Sequence, residues 1–516
     1  MKPIVLFVAA VTAGAGVGAA QSYPLLAPWS VLGLTALLAL LARMVGWRAR
    51  LVAVFLFALA YLSGALYWLG LAIYHPPVNS LGSAVALTAV ALVLHALIYT
   101  LAIAVGLATV SARGWQGSAS TACALAASWA LAEVVRSSGW WAMPWGLLGY
   151  GQLDNPVLRG LYPLVGGHGV AACAWLLAAG VGALAVGWPW QRILPLVTIA
   201  AAAKRGGLAR WRLVGGAVVV VGAYASQSVD WTQPTGPALA VRLVHTDLPT
   251  DEKQADIAQI SALRLLGEMA GRPGTDLTVF PELFLLQSAH QLPKAWRSEV
   301  MGSAKSAQTA LLFGAPGAVL DAASEAPLHQ NTLVFIDGAG GAKTYAKEIL
   351  LPFSEYLPNT AWLRWAYPFL YHYPQADFVA GTGYQPPMSV RGVDLGVTIC
   401  SELAYAGKAS LQARHAQILV NASADSWIPS GAYLRQAHQI ARVRAAEAQK
   451  PMVRANNVGY SAFIDHRGRV RSSLLGEPGS GVMEVVPRVG VTPYVAFAAW
   501  AAQWGRTSAS GGDGVQ

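Results

Sequence analysis

Apolar stretches of bilayer-spanning length recur through the first part of the chain, at residues 4–20, 25–41, 51–74, 81–110, 118–135, 161–187 and 213–226. A helix needs about 20 mostly apolar residues to cross the hydrocarbon core, so the pattern predicts about seven transmembrane helices. Residues 193–203 are apolar too, but they are too short to span and are flanked by Arg192, Lys204 and Arg205. The first stretch has the length of a signal peptide. Another apolar run follows it almost at once and Lys2 is the only charge before it, so a retained helix is expected.

From Ala238 onward the pattern changes to short apolar runs separated by longer helical stretches. Strands are expected at residues 238–245, 276–280, 310–314, 332–336, 395–399, 418–421 and 452–455, and helices at 433–447 and just before Ile418. Strands alternating with helices make a layered α/β domain. The expected division is a membrane domain over residues 1–228, a catalytic domain over 229–488, and a curtailed hydrophobic segment with a flexible tail over 489–516. Residues 492–504 are too short to cross a bilayer.

Composition sharpens the boundary. Hydrophobic residues make up 55% of the chain and charged residues only 12%, against roughly 25% in soluble proteins. Before Val229 the only acidic residues are Glu133 and Asp154. The formal charge of +10 does not point to nucleic acid, because the early Arg and Lys residues fall in short loops. With the N-terminus inside, Arg43, Arg48, Arg50, Arg113, Arg192, Lys204, Arg205, Arg210 and Arg212 lie in cytoplasmic loops, and Arg136 and Arg159 outside. That asymmetry follows the positive-inside rule and sends the second domain out of the cytoplasm. The outside loop at residues 137–152 carries Trp140, Trp141, Trp145 and Tyr150, which read as an interfacial belt or as the lipid-facing wall of an active site. Cys123 and Cys173 sit in apolar runs and read as small buried hydrophobes.

Three strings in the second domain carry chemistry. Thr278–Glu282 is a strand ending in Pro-Glu, with a carboxylate at the rim where α/β sheets gather ligands. The string from Tyr345 to Pro358 holds Lys347 and, within the same apolar stretch, Glu355, which together suggest a partly buried pair. The string from Leu395 to Glu402 runs a strand straight into Cys400, a nucleophile position. A carboxylate, an ammonium and a thiol near successive strand ends are the parts of a thiol acyl-transfer site. The carboxylate takes the thiol proton, and the ammonium favours the thiolate and the oxyanion.

The order Glu282, Lys347, Cys400 resembles the Glu–Lys–Cys triad of the nitrilase superfamily, and with the upstream helices the chain is similar to the apolipoprotein N-acyltransferase family. Further matching strings are Gly64–Trp68, Pro144–Gln152, Pro352–Pro358, Asn421–Trp427 and Gly490–Tyr494. The resemblance implies a multi-pass helical membrane domain joined to a nitrilase-like αββα sandwich. It also implies catalytic Glu282, Lys347 and Cys400, supporting Glu355 and Glu402, and substrate contacts at Trp427 and Tyr356. No cofactor or metal is expected. A phospholipid is the implied acyl donor and a lipoprotein the acceptor. A monomer is expected in the bacterial inner membrane, with the catalytic domain facing the periplasm and no nucleic-acid partner.

The chain departs from the family pattern at Leu283-Phe284 after the base, at Ser354, at Ser401 after the cysteine, and at Ile428-Pro429 after the tryptophan. Those departures keep two other expectations open: a divergent membrane paralogue acting in conjugal transfer or envelope assembly, and a membrane-anchored amidase.

Overall fold

The computed structural model describes residues 3–74, 80–111, 119–139, 141–185, 220–248, 256–320, 327–352, 354–356, 378–382, 385 and 387–510. The chain divides into two compact units, Met1–Val229 and Asp230–Gln516.

The first unit is helical: α1 (Pro3–Ala20), α2 (Ala27–Arg43), α3 (Trp47–Leu66), α4 (Trp68–Ile73), α5 (Leu81–Ser111), α6 (Ala119–Arg136) and α7 (Tyr162–Ala185). Four helices among the described residues are long and apolar enough to cross a membrane: Pro3–Ala20, Trp47–Leu66, Leu81–Thr109 and Arg159–Gly182. The expected span at 51–74 is broken at Tyr67 into α3 and α4. The expected segment at 193–203 lies outside the described residues, as does most of the one at 213–226.

Helices in lipid gain little from the hydrophobic effect when they pair, so they rely on close backbone approach at small residues. Gly14 and Gly18 of α1 supply that approach. A Cβ on Gly14 would lie 2.3 Å from the Phe57 carbonyl oxygen, and one on Gly18 would lie 2.2 Å from that of Tyr61. The two glycines are four residues apart and present a flat strip on which α3 rests.

Two aromatic residues of the loop at residues 137–152 turn inward. Trp145 and Tyr150 are buried inside the helical unit, and Trp141 is exposed. The reason is a polar clamp at the end of α6. Arg136 is fully buried and donates to the carbonyls of Met143 and Trp145 and to the Tyr99 hydroxyl, each at 2.9 Å. Glu133 accepts from the Leu148 amide at 2.7 Å and from Trp129 Nε1 at 3.1 Å. Unpaired backbone groups are costly away from water, so a cation and a carboxylate one turn apart draw the loop inward. Arg136 is therefore a buried anchor at the end of its helix and not a loop charge. Cys123 also departs from expectation: it is exposed on α6, not buried.

The second unit has two six-stranded sheets and a short outlying pair, β1 (Gln233–Pro234) with β14 (Arg488–Val489). The first sheet has the order β13 (Gly479–Val485), β2 (Leu239–His245), β3 (Leu277–Val279), β4 (Ala310–Leu320), β5 (Pro327–Ile336), β6 (Ala342–Ala346). The second has the order β12 (Val470–Leu474), β11 (Ser461–Ile464), β10 (Met452–Asn456), β9 (Ile418–Ser423), β8 (Val393–Ile399), β7 (Met388–Val390). Strands β2, β3 and β4 run parallel, as do β8, β9 and β10.

One apolar cluster joins the sheets face to face through Val241, Leu277, Val279, Leu312 and Phe335 from the first and Leu395, Val397, Ile399, Val420 and Val453 from the second. On the outer face of the first sheet, α8 (Asp256–Ala270) and α9 (Lys294–Ala307) bury Leu266, Ala270, Val300 and Ala304. Helices α10 (Ala406–His415) and α11 (Gly431–Ala448) accompany the second sheet, and α12 (Pro493–Ser510) packs on them. The result is an αββα sandwich. Central strands such as β8 are buried almost throughout, so they read as continuous apolar runs. Helix α12 extends to Ser510 and takes in residues that read as tail.

Candidate active site

Strand β8 ends in a short 3-10 turn over Cys400–Ala404, and Cys400 sits at the corner with φ 48°. Left-handed backbone at a non-glycine residue is strained. It turns the chain out of the strand in one step and fixes the thiol at the rim. The thiol is buried, and burial pushes its pKa up, with the Glu282 charge adding to the rise and Lys347 opposing it. The site therefore favours Cys400 as the neutral thiol.

Glu282 follows β3 and is buried beside it. Its Oε1 accepts from Asn331 Nδ2 at 2.7 Å, and its Oε2 accepts from the Ala424 amide at 2.8 Å. The loop carrying it lies against β4 at Gly314. A Cβ there would come within 2.2 Å of the Leu283 nitrogen and 2.6 Å of the Glu282 carbonyl carbon. Gly314→Ala is therefore expected to push Glu282 out of place. An error of about 1 Å at a reacting group can cost roughly 10²-fold in rate, and overpacking about 1–3 kcal/mol in stability. Acyl-transfer rate and thermal midpoint measured together check this; an unchanged rate would mean that turnover does not depend on where that approach holds Glu282.

Lys347, just past β6, is 2% exposed. Its Nζ lies 2.8 Å from both carboxylate oxygens of Glu355 and 3.8 Å from Glu282 Oε1. Burial alone would pull the ammonium pKa down, but the Glu355 and Glu282 carboxylates outweigh it and raise it. The cation is thus held charged between two carboxylates at a thiol. Glu355 is fixed in turn by the Leu351 amide at 2.7 Å, and Asn331 Nδ2 reaches it at 3.2 Å.

Glu402 is fully buried. It accepts from the amides of Ile399 (2.8 Å), Glu348 (2.8 Å) and Ile349 (3.2 Å) and from the Tyr345 hydroxyl. One carboxylate so ties the elbow of Cys400 to the loop of Lys347, a positioning role. Trp427, partly buried, meets Tyr433 edge-on at 6.2 Å. Tyr356 is half-buried one residue beyond Glu355. The hydroxyl of Ser401, a departure from the family pattern, is buried with no partner among the described residues.

Several supporting residues were not singled out in the sequence. Asn331, inside β5, bridges the two carboxylates. Asp425 accepts from Ser423 Oγ at 2.7 Å, Arg454 Nη2 at 2.6 Å and Asn456 Nδ2 at 2.5 Å. Arg454 also donates to Asn421, whose amide reaches the Cys400 carbonyl at 3.4 Å. Arg454 occupies the middle of β10 after two apolar residues, and a charge in a buried strand needs a buried partner; that was the available signal.

The family model described as apolipoprotein N-acyltransferase N-terminal domain matches residues 13–180, and the one described as carbon-nitrogen hydrolase matches residues 231–485. Apolipoprotein N-acyltransferase of Nitrosomonas europaea is 30% identical, over 72% of this chain and 70% of its own length. That of Bordetella bronchiseptica is 31% identical over 87% and 85%. The chain belongs to the apolipoprotein N-acyltransferase family. The Pseudomonas putida member is 33% identical, over 73% of this chain and 71% of its own length. Membership accounts for both units of the chain, the helical one through the N-terminal match and the αββα sandwich through the carbon-nitrogen hydrolase match.

Proposed function

We propose that this chain transfers an acyl group from a phospholipid to the N-terminal amine of a diacylglyceryl-cysteine apolipoprotein, through a thioester on Cys400. The observation that carries the reading is the buried ammonium of Lys347 held between Glu282 and Glu355 beside the Cys400 thiol. In the first half-reaction the sulfur attacks the ester carbonyl carbon and its proton passes to Glu282. The oxyanion forms against Lys347. The C–O bond then breaks, and the departing lysophospholipid oxygen takes the proton from Glu282. In the second half the apolipoprotein amine attacks the thioester carbon and gives a proton to Glu282. The C–S bond breaks and the proton returns to sulfur. This is covalent catalysis in two steps, with Glu402 holding the elbow and Trp427 and Tyr356 contacting substrate. Both substrates sit in lipid, which gives the helical unit a reason to exist. The family relationship supports this reading over a membrane-anchored amidase and over a non-catalytic paralogue. Expression in cells depleted of their own N-acyltransferase, with lipoproteins read by mass spectrometry, tests it: triacylated lipoproteins are expected, and diacylated ones alone would refute it.

The catalytic unit faces the periplasm in this reading, on the strength of the Arg and Lys asymmetry between alternate loops. A reporter active only outside the cytoplasm, fused after Asp230, is expected to work there. Activity of a cytoplasm-only reporter at that position would reverse the orientation.

A further inference from the structure

Among the described residues, helix α12 turns one face to the sandwich and leaves the other largely exposed. Tyr494, Val495 and Ala499 are buried against α10 and α11. The opposite face carries Phe497, Trp500 and Trp504, which are 63%, 55% and 66% exposed. These rings form a continuous stripe, with centroids 6.1 Å apart for Phe497 and Trp500 and 5.8 Å for Trp500 and Trp504. A helix packed by one face ordinarily turns polar residues outward; this one turns out aromatics. Val489 and Val491, just before it, are exposed as well.

We infer that α12 lies in the plane of the membrane surface and seats its aromatic stripe at the boundary between lipid headgroups and acyl chains. Three features of the helix support this occupant. Its apolar part, residues 493–504, is about 18 Å long at 1.5 Å per residue. That is short of the roughly 30 Å of a hydrocarbon core, so the helix does not span. Tryptophan is the side chain most at home at the interface, with an apolar body and one donor. The only charged residue in the helix sequence is Arg506, two positions after Trp504, and a cation there suits anionic headgroups. Area argues against a protein partner. Three rings of about 150–250 Å² each, exposed to this degree, offer on the order of 300–450 Å², below the roughly 800 Å² per partner of a stable protein interface. An in-plane anchor would hold a domain whose substrates reside in lipid against the surface that supplies them. The inference needs the membrane character of the family but not the assignment of the catalytic residues.

Photo-cross-linking tests it directly. The full chain is reconstituted in vesicles of phosphatidylethanolamine and phosphatidylglycerol, carrying Trp500→benzoylphenylalanine or Trp504→benzoylphenylalanine. Lys343→benzoylphenylalanine, at an exposed position on β6, is the control. After illumination, mass spectrometry is expected to show a gain of one phospholipid mass at 500 and at 504 and none at 343. Adducts to peptide at either position, whether from a second copy or from the helical unit, would overturn the inference. So would an absence of adducts, or lipid capture at 343 equal to that at 500. The readout does not depend on turnover, so a failure here leaves the acyl-transfer reading standing.

Discussion

Replacing Cys400 by serine is expected to abolish acyl transfer while leaving the fold intact. The exchange changes one atom. Serine keeps the hydrogen bond that Cys400 shares with Ser423 and places no larger demand on the left-handed backbone at the elbow. Chemistry suffers far more. The site raises the thiol pKa by burial and by the nearby Glu282 charge, and an alcohol starts from a much higher value still. Glu282 can take a proton from a sulfur nucleophile but has little driving force to take one from a serine. Loss of a nucleophile in covalent catalysis costs on the order of 10⁴–10⁶-fold in turnover. Two measurements check the point together. Wild-type protein given phospholipid alone should gain one acyl mass on Cys400, and the serine variant should gain none. Thermal midpoints should agree closely. An acylated, active Cys400→Ser variant would remove Cys400 from the mechanism.

Much of the fold was legible because its strands are sharply apolar. β8 and β9 are buried nearly end to end, and short continuous apolar runs are what a sheet covered on both faces produces. Some missed strands are short, such as β7 and the fully buried β11, and others are exposed. β12 and β13 alternate polar, glycine and apolar residues with most positions in solvent, so neither period nor composition marks them. β4 and β5 run longer than expected for the same reason: the extra residues, Ala315–Leu320 and Pro327–Asn331, form a ribbon whose outer part is largely exposed. In the site, Glu282 and Cys400 stood at expected strand ends and Lys347 and Glu355 in one apolar stretch; each string was weak alone, and together they pointed to one site. Asn331 and Asp425 could not be found in this way. Their roles depend on which strands become neighbours, and a single sequence carries no direct signal of that. In the aromatic loop of the helical unit, Trp145 and Tyr150 have interfacial character, but Arg136 and Glu133 pair with the loop backbone and draw them inward.

Lys347→Met is expected to reduce both stability and rate, and a second substitution separates the two losses. A solvated lysine would tolerate the change silently, but this one is almost fully buried between Glu355 and Glu282. Removing it leaves two carboxylates facing each other without their cation. Breaking a buried pair in this way typically costs about 3–5 kcal/mol. Loss of an oxyanion donor costs roughly 10²–10³-fold in rate. Lys347 also lowers the pKa of Cys400, so its removal shifts the pH profile of thiol alkylation to higher pH. Adding Glu355→Gln removes the surplus charge. Glu282 keeps its bonds from Asn331 and the Ala424 amide. The double variant should therefore regain much of the lost thermal stability. It should not regain the rate, because no cation faces the oxyanion. If stability and turnover return together, Lys347 only balances charge in the folded state. If stability returns while turnover and the alkylation profile stay displaced, the ammonium acts on the reacting atoms.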